Sequence, residues 1–418
     1  MRVLWLCNIV IPLIADKADI HQVPVNGGWL TGFLQTLLKN ESVELCVVFP
    51  EKKVTNGIVS NQLVYYSFKE KGIENRFDKI LDDFLPEVVH IWGTEFPHSL
   101  YMVQACKKKG LLSRVIISIQ GMVSVYAKHY YADLPVSAIC AWTMRDLIRR
   151  KNIWCERNDF KKRGFMEKEA LEEVSHVIGR TDWDLANVKR INPNIKYHFC
   201  NETLRNSFYN VEWNLKKCER YSIFVSQCGY PIKGFHMMLE ALVDILKVYP
   251  DTQVYTTGVD IIHCSAKSRL KQSSYIRYLA KTIKKNNLSS HVHFVGVLDE
   301  QEMCNRYLKA NVFVSCSSIE NSPNSVGEAM LVGCPVVTSD VGGVKNMLIH
   351  GEEGYVYPFD EPYMLAFYVM KIFGDEERAK EMSYKARGHA LKTHDRAKNQ
   401  DRMFQIYNEL IGTGIGEK

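Results

Sequence analysis

No stretch of this 418-residue chain approaches the ~18 consecutive apolar residues of a membrane span. The apolar start, residues 1–9, is too short for the core and cleavage site of a signal peptide, and reads as the first strand of a sheet. The twelve cysteines stand singly with no Cys-x-x-Cys pair, which argues against a zinc ribbon or disulfide framework and for a reducing compartment. A cytoplasmic location is the expectation. There is no Gly-x-Gly-x-x-Gly, which argues against a nicotinamide dehydrogenase, and no Gly-x-x-x-x-Gly-Lys-Ser/Thr, which argues against a P-loop ATPase. Low-complexity tracts and short-period repeats are also missing. What remains is an ordinary globular composition, 46% hydrophobic and 24% charged, at a length natural for two domains of about 200 residues.

Two arrays of apolar, β-branched runs alternate with helical patterns. The first holds strand-like runs at 4–6, 45–49, 88–92, 115–119 and 177–179; the second holds runs at 223–225, 254–258, 292–296 and 312–315 with helices between them. Strands flanked by helices at this spacing predict an α/β fold of two doubly wound parallel sheets, with ligands outside the carboxyl ends of the strands. Polar residues interrupt the apolar runs between Val211 and Glu219. The expected domains are therefore 1–212 and 213–395, with charged helices closing the chain from Glu376 and a last segment at 396–418.

The most informative segment reads strand, polar loop, helix: Val312-Phe313-Val314-Ser315, then Glu320-Asn321-Ser322-Pro323-Asn324-Ser325-Val326-Gly327-Glu328. Ser325 is a good N-cap and Glu328 lies three residues later, a capping box that by itself accounts for Glu328, while Glu320 alone is compatible with a solvated loop acid. The free N–H groups and positive end of such a helix form an anion site with a carboxylate on each side. Downstream come Gly333-Cys334-Pro335-Val336, the loop Asp340-Val341-Gly342-Gly343, and Gly351 to Pro358.

The run from 311 to 358 resembles the donor-binding half of the family 4 retaining glycosyltransferases, whose signature is Glu, seven residues, Glu. The resemblance implies the GT-B fold, two Rossmann-like domains facing across a cleft with the C-terminal helix returning to the first. It implies that Glu320 meets the transferred sugar and Glu328 the nucleotide ribose, beside Pro323, Asn324, Ser325 and Val326. Ser226-Gln227-Cys228-Gly229-Tyr230-Pro231-Ile232-Lys233-Gly234 resembles the family's Lys-Gly element that neutralises the donor diphosphate; a plain solvated lysine is the alternative for Lys233. Where the family usually has an Arg just before that Lys, this chain has Gln227 and Cys228, and Arg180 is the candidate substitute, a surface or capping role being its alternative. Gly27 and Gly28 match the phosphate loop of the first domain, and Gly296 is assigned to the donor side. Many members carry His where Gln120 stands; glutamine can hydrogen-bond a sugar but cannot take up a proton. His129 and Tyr130, in a polar-aromatic stretch, are placed on the acceptor side, with packing as the alternative.

These readings predict a retaining hexosyltransferase moving sugar from a nucleotide-diphosphate sugar to a hydroxyl of a saccharide or lipid-linked acceptor in surface polysaccharide or glycolipid assembly, with Glu320, Lys233 and Gln120 at the chemistry. The resemblance implies front-face attack in which the leaving phosphate assists deprotonation of the acceptor. A GT-B sugar-nucleotide epimerase and an inactive nucleotide-sugar-binding protein are the alternatives. Neither a cofactor nor a metal is expected. Asp182-Trp183-Asp184 follows a strand and begins a helix, so capping by Thr181 or Asp182 explains it better than a metal motif; His291 and His293 read as structural. Residues 145–163 carry eight cations against three acids, interleaved with Leu147, Ile148, Ile153, Trp154 and Phe160. That segment predicts contact with an anionic membrane surface, a solvated basic face being the alternative. No nucleic-acid motif accompanies it.

Overall fold

The computed structural model describes residues 1–18, 20 and 28–413. The chain divides into two units, one of residues 1–124, 161–204 and 393–418, the other of 125–160 and 205–392. The first holds β1 (Arg2–Leu6), β2 (Glu44–Pro50), β3 (Asn56–Ser60), β4 (Leu63–Phe68), β5 (Val88–Trp92), β6 (Val115–Ser118), β7 (His176–Gly179) and β8 (Lys196–Phe199). They form one sheet in the order β3-β4-β2-β1-β5-β6-β7-β8, parallel except for the β3–β4 hairpin at its edge. The second holds β9 (Ser222–Val225), β10 (Gln253–Thr256), β11 (Val292–Phe294), β12 (Val312–Ser315), β13 (Val336–Ser339) and β14 (Tyr355–Tyr357), parallel throughout in the order β11-β10-β9-β12-β13-β14.

Every residue of β5, β6, β9, β12 and β13 is buried. A parallel strand covered by helices on both faces has no solvent side, so its residues need not alternate. The edge strand β3 does alternate, leaving Ile58 exposed. The two parallel series wind outward in both directions from β1–β5 and from β9–β12, so each unit has a switch point where the loops leaving two adjacent strands diverge and open a crevice.

The helix Arg396–Thr413 lies in the first unit and seals one face of its sheet with Ile406, Tyr407 and Leu410, all fully buried, each contributing roughly 1.5–3 kcal/mol of apolar burial. The Tyr407 hydroxyl receives the Trp5 indole N–H at 3.1 Å and meets His90 Nδ1 at 2.7 Å, so a buried polar group is satisfied at that contact.

The division differs from the expected boundary at 212/213 in one respect that matters. Residues 125–160 belong with the second unit. They are tied to it by His236 Nε2 on the Ala132 carbonyl at 2.7 Å, by the Ser318 hydroxyl on the His129 carbonyl at 2.9 Å, and by the Ser274 N–H on the buried Asp146 carboxylate at 2.9 Å. No helix among the described residues is long and apolar enough to cross a membrane.

Candidate active site

The second unit's switch point brings two loops together, residues 226–234 after β9 and residues 316–323 after β12. The first ends in a tight turn, Pro231–Lys233, closed by Gly234 at φ 64°. A side chain is excluded at Gly234 twice over: the backbone is left-handed, and a Cβ would lie 1.7 Å from the Cys316 carbonyl oxygen. This approach lets the Ser318 N–H donate to the Ile232 carbonyl at 2.7 Å and the Cys316 thiol donate to the Lys233 carbonyl at 3.3 Å.

The stitched loops place Lys233 Nζ 2.6 Å from Glu320 Oε1, which also accepts from the Ser317 hydroxyl at 2.7 Å. The backbone of Glu320 is held from the other side. Gly342, at φ 54°, brings its α-carbon so close that a Cβ would sit 1.8 Å from the Glu320 carbonyl oxygen, and the Gly343 N–H donates to that oxygen at 3.1 Å. The Ser339 hydroxyl fixes the Ser317 carbonyl at 2.6 Å. The glycine pair after β13 therefore serves the acid after β12. Side-chain exposure is 20% for Lys233 and 10% for Glu320, so both keep an edge toward solvent. Burial works against the Lys233 charge, but the Glu320 carboxylate and Tyr230 outweigh it and raise the ammonium above its ordinary range. A permanent cation and an oriented carboxylate thus sit together at the crevice, a combination suited to an anionic leaving group and a polar ring.

The helix that follows, Asn324–Val332, starts two residues earlier than a Ser325 cap requires. Pro323 is the N-cap, without a side-chain cap bond, and its fixed backbone starts the helix with Asn324 in the first position. The capping box is therefore overturned: Glu328 lies a full turn inside the helix, beyond the third position where a box acid sits. Its carboxylate instead receives both arms of Arg205, Nε on Oε1 at 2.7 Å and Nη2 on Oε2 at 2.8 Å, with the Tyr307 hydroxyl at 3.5 Å. Burial pushes the Glu328 carboxyl up, and the Arg205 hydrogen bonds act against that. Near the helix start the Ser322 hydroxyl oxygen is buried without a hydrogen-bond partner among the described residues.

Of the remaining expected site residues, Gln227 is half-buried on the loop after β9. Gly296, at φ 79°, pairs with Gly258 across the ends of β10 and β11. Gly28 opens the helix Gly28–Leu37, and Gly27 lies outside the described residues. Val326 is buried in the helix and Asn324 half-buried at its first turn. Gln120 and Arg180 are neighbours in the first unit, but Arg180 is not an uncommitted cation. Its Nη1 is 2.5 Å from the buried Glu202 carboxylate, and Nη2 donates to the Ile119 carbonyl at 2.9 Å and to Gln120 Oε1 at 3.3 Å. His129 is exposed beside the Glu320 loop, its carbonyl taken by Ser318, and partial burial of the ring lowers its imidazole pKa. Tyr130 corrects the sequence expectation: its ring is buried against Phe160 and its hydroxyl donates to Glu156 at 2.8 Å, so the ring is packing and not a stacking surface. The Thr181–Asp184 capping box is present, with Asp184 buried, which accounts for Asp182-Trp183-Asp184. His291 and His293 bond to Thr252 and Gln253 within the sheet.

Sequence reasoning missed Arg205 and Tyr307. Arg205 lies in an irregular stretch between β8 and β9, where nothing local marks it, and its partner is 123 residues away. Tyr307 shows only as one apolar-face position of the helix Glu300–Lys309.

Residues 207–389 match the family model described as glycosyl transferases group 1, a stretch that falls within the second unit. A phosphatidyl-myo-inositol mannosyltransferase of Mycobacterium tuberculosis is 24% identical over 204 residues, 46% of this chain and 48% of that protein. This chain thus matches about half the length of that relative. Two solved structures share the fold over nearly the whole chain. A sucrose-phosphate synthase from Thermosynechococcus elongatus has a TM-score of 0.73 at 15% identity, covering 99% of this chain and 100% of that one. Anabaena Alr3699/HepE in complex with UDP-glucose has a TM-score of 0.67 at 13% identity, covering 98% and 100%. The match to the glycosyl transferases group 1 model over residues 207–389 thus sits in a chain of GT-B fold with two Rossmann-like units.

Proposed function

We propose that the protein is a retaining, metal-independent glycosyltransferase that moves a hexosyl group from a nucleotide-diphosphate sugar to a hydroxyl of a saccharide or lipid-linked acceptor, in polysaccharide or glycolipid assembly. The observation that carries this reading is the Lys233–Glu320 pair at the switch point of a group 1 domain. In this mechanism Lys233 and the start of the helix Asn324–Val332 take the charge that builds on the departing diphosphate, where one preorganised donor is commonly worth on the order of 100-fold in rate. Glu320 orients the sugar through its hydroxyls. The acceptor oxygen bonds to the anomeric carbon as the bond to phosphate breaks, and the acceptor's proton passes to a phosphate oxygen of the leaving nucleotide. Glu328, its orientation set by Arg205, offers its remaining lone pairs to the ribose hydroxyls. Support for the donor class comes from Alr3699/HepE, whose structure holds UDP-glucose.

A lipid-linked acceptor gains support from two sides. The mycobacterial relative is by name a phosphatidyl-myo-inositol mannosyltransferase. Around the helix Met144–Arg149, Trp142, Leu147, Ile148 and Trp154 are exposed beside exposed Arg149, Arg150 and Lys151. Exposed aromatic and aliphatic residues next to cations suit an anionic headgroup layer, at about 1 kcal/mol per well-placed charge. The exposed charge is smaller than the sequence count, because Arg157 donates to the Ala127 carbonyl and Arg163 to the Glu95 carbonyl. A protein working on the cytoplasmic face of a membrane fits both features.

The test is incubation with a panel of UDP-, GDP- and ADP-sugars, following sugar release by proton NMR. Release from one donor with its anomeric configuration retained is expected. No release from any donor, or release with inversion, refutes the proposal.

A further inference from the structure

The second unit carries an excess of charge that neither the donor site nor the segment around Met144–Arg149 accounts for. From Ile261 to Leu298 the chain has no aspartate or glutamate, yet it holds Lys267, Arg269, Lys271, Arg277, Lys281, Lys284 and Lys285. The acids that bound this run are committed locally. Asp260 Oδ1 accepts the Ile262 and His263 N–H groups, and Asp299 caps the helix Glu300–Lys309. Ion pairs stop at His263–Asp260 and resume at Arg306–Glu219, and none of the seven cations joins one among the described residues. Consecutive lysines elsewhere are matched: Lys107, Lys108 and Lys109 meet the carboxylates of Glu173, Asp78 and Asp82.

Helical geometry sorts the unmatched cations to one side. In the helix Ser274–Lys285, Tyr275, Leu279 and Ile283 form the buried stripe, and Arg277, Lys281, Lys284 and Lys285 fall on the opposite face over about 12 Å. The short helix Ala266–Leu270 leads into it with Lys267, Arg269 and, just past its end, Lys271, all exposed. Lys284 and Lys285 suit the negative end of their helix. Arg277 and Lys281 are not explained that way. The pairs Arg277–Lys281 and Lys281–Lys285 set like charges four residues apart, which works against the helix. A partner that brings negative charge relieves this repulsion.

The chemistry of that partner follows from what adjoins the stripe. The Ser274 N–H at the start of the helix donates to the Asp146 carboxylate at 2.9 Å, and the helix packs on the short helix Val136–Ile139. Both contacts belong to the segment that exposes Val136, Trp142, Leu147, Ile148 and Trp154. A basic surface and an apolar one are thus joined within one unit. A soluble polyanion would use the cations and leave the exposed aromatic and aliphatic side chains without a role. Nucleic acid bases find no stacking surface on the stripe, where Tyr278 is half-buried. An anionic bilayer uses both surfaces, apolar side chains entering the headgroup boundary and cations meeting the phosphates.

We propose that the helices Ala266–Leu270 and Ser274–Lys285 are an electrostatic docking surface for anionic lipid headgroups, so that the unit holding Lys233 and Glu320 attaches to the membrane through its own lysines. This deepens the membrane-facing reading of the segment around Met144–Arg149 and rests on it, not on sugar transfer.

The test is flotation of the full chain at low salt with vesicles of phosphatidylcholine, alone or mixed with phosphatidylglycerol. The wild type is expected to float with the mixed vesicles only. The triple variant Lys267→Glu, Lys271→Glu, Lys281→Glu should bind them at least tenfold more weakly. Lys281→Glu alone sets an acid between Arg277 and Lys285, so its thermal melt should be no lower than that of the wild type while its binding falls. Reversing the exposed Lys39, Lys69 and Lys71 of the first unit changes the net charge as much as the triple variant does, and should leave binding unchanged. Full binding by the triple variant, or an equal loss in this control, overturns the surface. Wild type that binds immobilised heparin but ignores the mixed vesicles overturns the bilayer as its occupant. Release by the triple variant but not by reversal of Arg149, Arg150 and Lys151 upholds this surface and removes the contact around Met144–Arg149. Donor turnover, measured without vesicles, stands or falls apart from all of these.

Discussion

Removing Arg205 leaves Glu328 buried with the Tyr307 hydroxyl at 3.5 Å as its remaining hydrogen-bond partner among the described residues, and the consequences can be worked out from the geometry. Two charge-assisted hydrogen bonds of 2.7 and 2.8 Å join the pair, with side-chain exposures of 12% and 7%. Truncating one partner of such a buried pair costs about 3–5 kcal/mol, because the other charge stays behind without compensation. Arg205→Ala and Glu328→Ala should each destabilise the second unit by that order. The double variant should lose much less than the sum, leaving a coupling of about 2–3 kcal/mol. Urea unfolding followed by far-UV circular dichroism, at fixed m-value, measures this. The same variants carry a functional signature. If Glu328 serves the ribose, Glu328→Ala should also weaken nucleotide binding by about 1.5–3 kcal/mol, or roughly 10- to 150-fold, by calorimetry at a temperature where it remains folded. Additive stability losses would refute the pairing, and unchanged nucleotide affinity would reduce Glu328 to a structural residue.

Three further outcomes are expected. Glu320→Gln keeps the side chain's size and its contacts with Ser317 and Lys233, so transfer should fall much further than donor affinity in steady-state kinetics; equal, mild losses would argue against its role at the sugar. Burial lowers the pKa of His90 to about 3 and that of His236 to about 4, below the ordinary 6.5, so each is neutral in the folded chain. The unfolded chain then binds more protons below about 6.5, and the stability held above that pH is lost as pH falls toward 4, by about 1.4 kcal/mol per pH unit per group; the melting temperature should be lower at pH 5.0 than at 7.5, and an unchanged or higher value contradicts this. The protein should co-sediment at low salt with vesicles of phosphatidylcholine and phosphatidylglycerol but not of phosphatidylcholine alone, and reversing Arg149, Arg150 and Lys151 to Glu should release it; wild-type indifference to anionic vesicles removes the support for a membrane-facing acceptor.

Much of this was legible because parallel α/β sheets write themselves in short apolar runs. β5 and β12 are buried end to end, and such runs bounded by polar loops stand out without any alternation. The same physics placed Lys233 and Glu320, since each lies in a loop directly after a strand and the sheet order makes those strands neighbours. The reading failed where the signal is not local. Ser325 looked like a cap because Ser is a good one, but Pro323 sets the helix start and turns Glu328 toward an arginine far away in sequence. Residues 125–160 carry no mark that they join the second unit, because the bonds to Ser274, His236 and Ser318 that hold them are made across the fold. The β3–β4 hairpin escaped because an edge strand with alternate residues exposed gives a weak run. Arg180 followed the logic of position, at the end of β7, but Glu202 had no signal that would have shown the charge was already matched.

The proposed transfer depends most directly on Lys233. With the donor that wild type consumes, and with EDTA present, nucleotide release should proceed in the wild type and fall at least 100-fold in Lys233→Ala, a protein whose circular dichroism and thermal melt remain intact. Release that needs Mg²⁺ or Mn²⁺, or that survives the loss of Lys233, would contradict the claim that this cation at the second switch point carries the charge of the departing diphosphate.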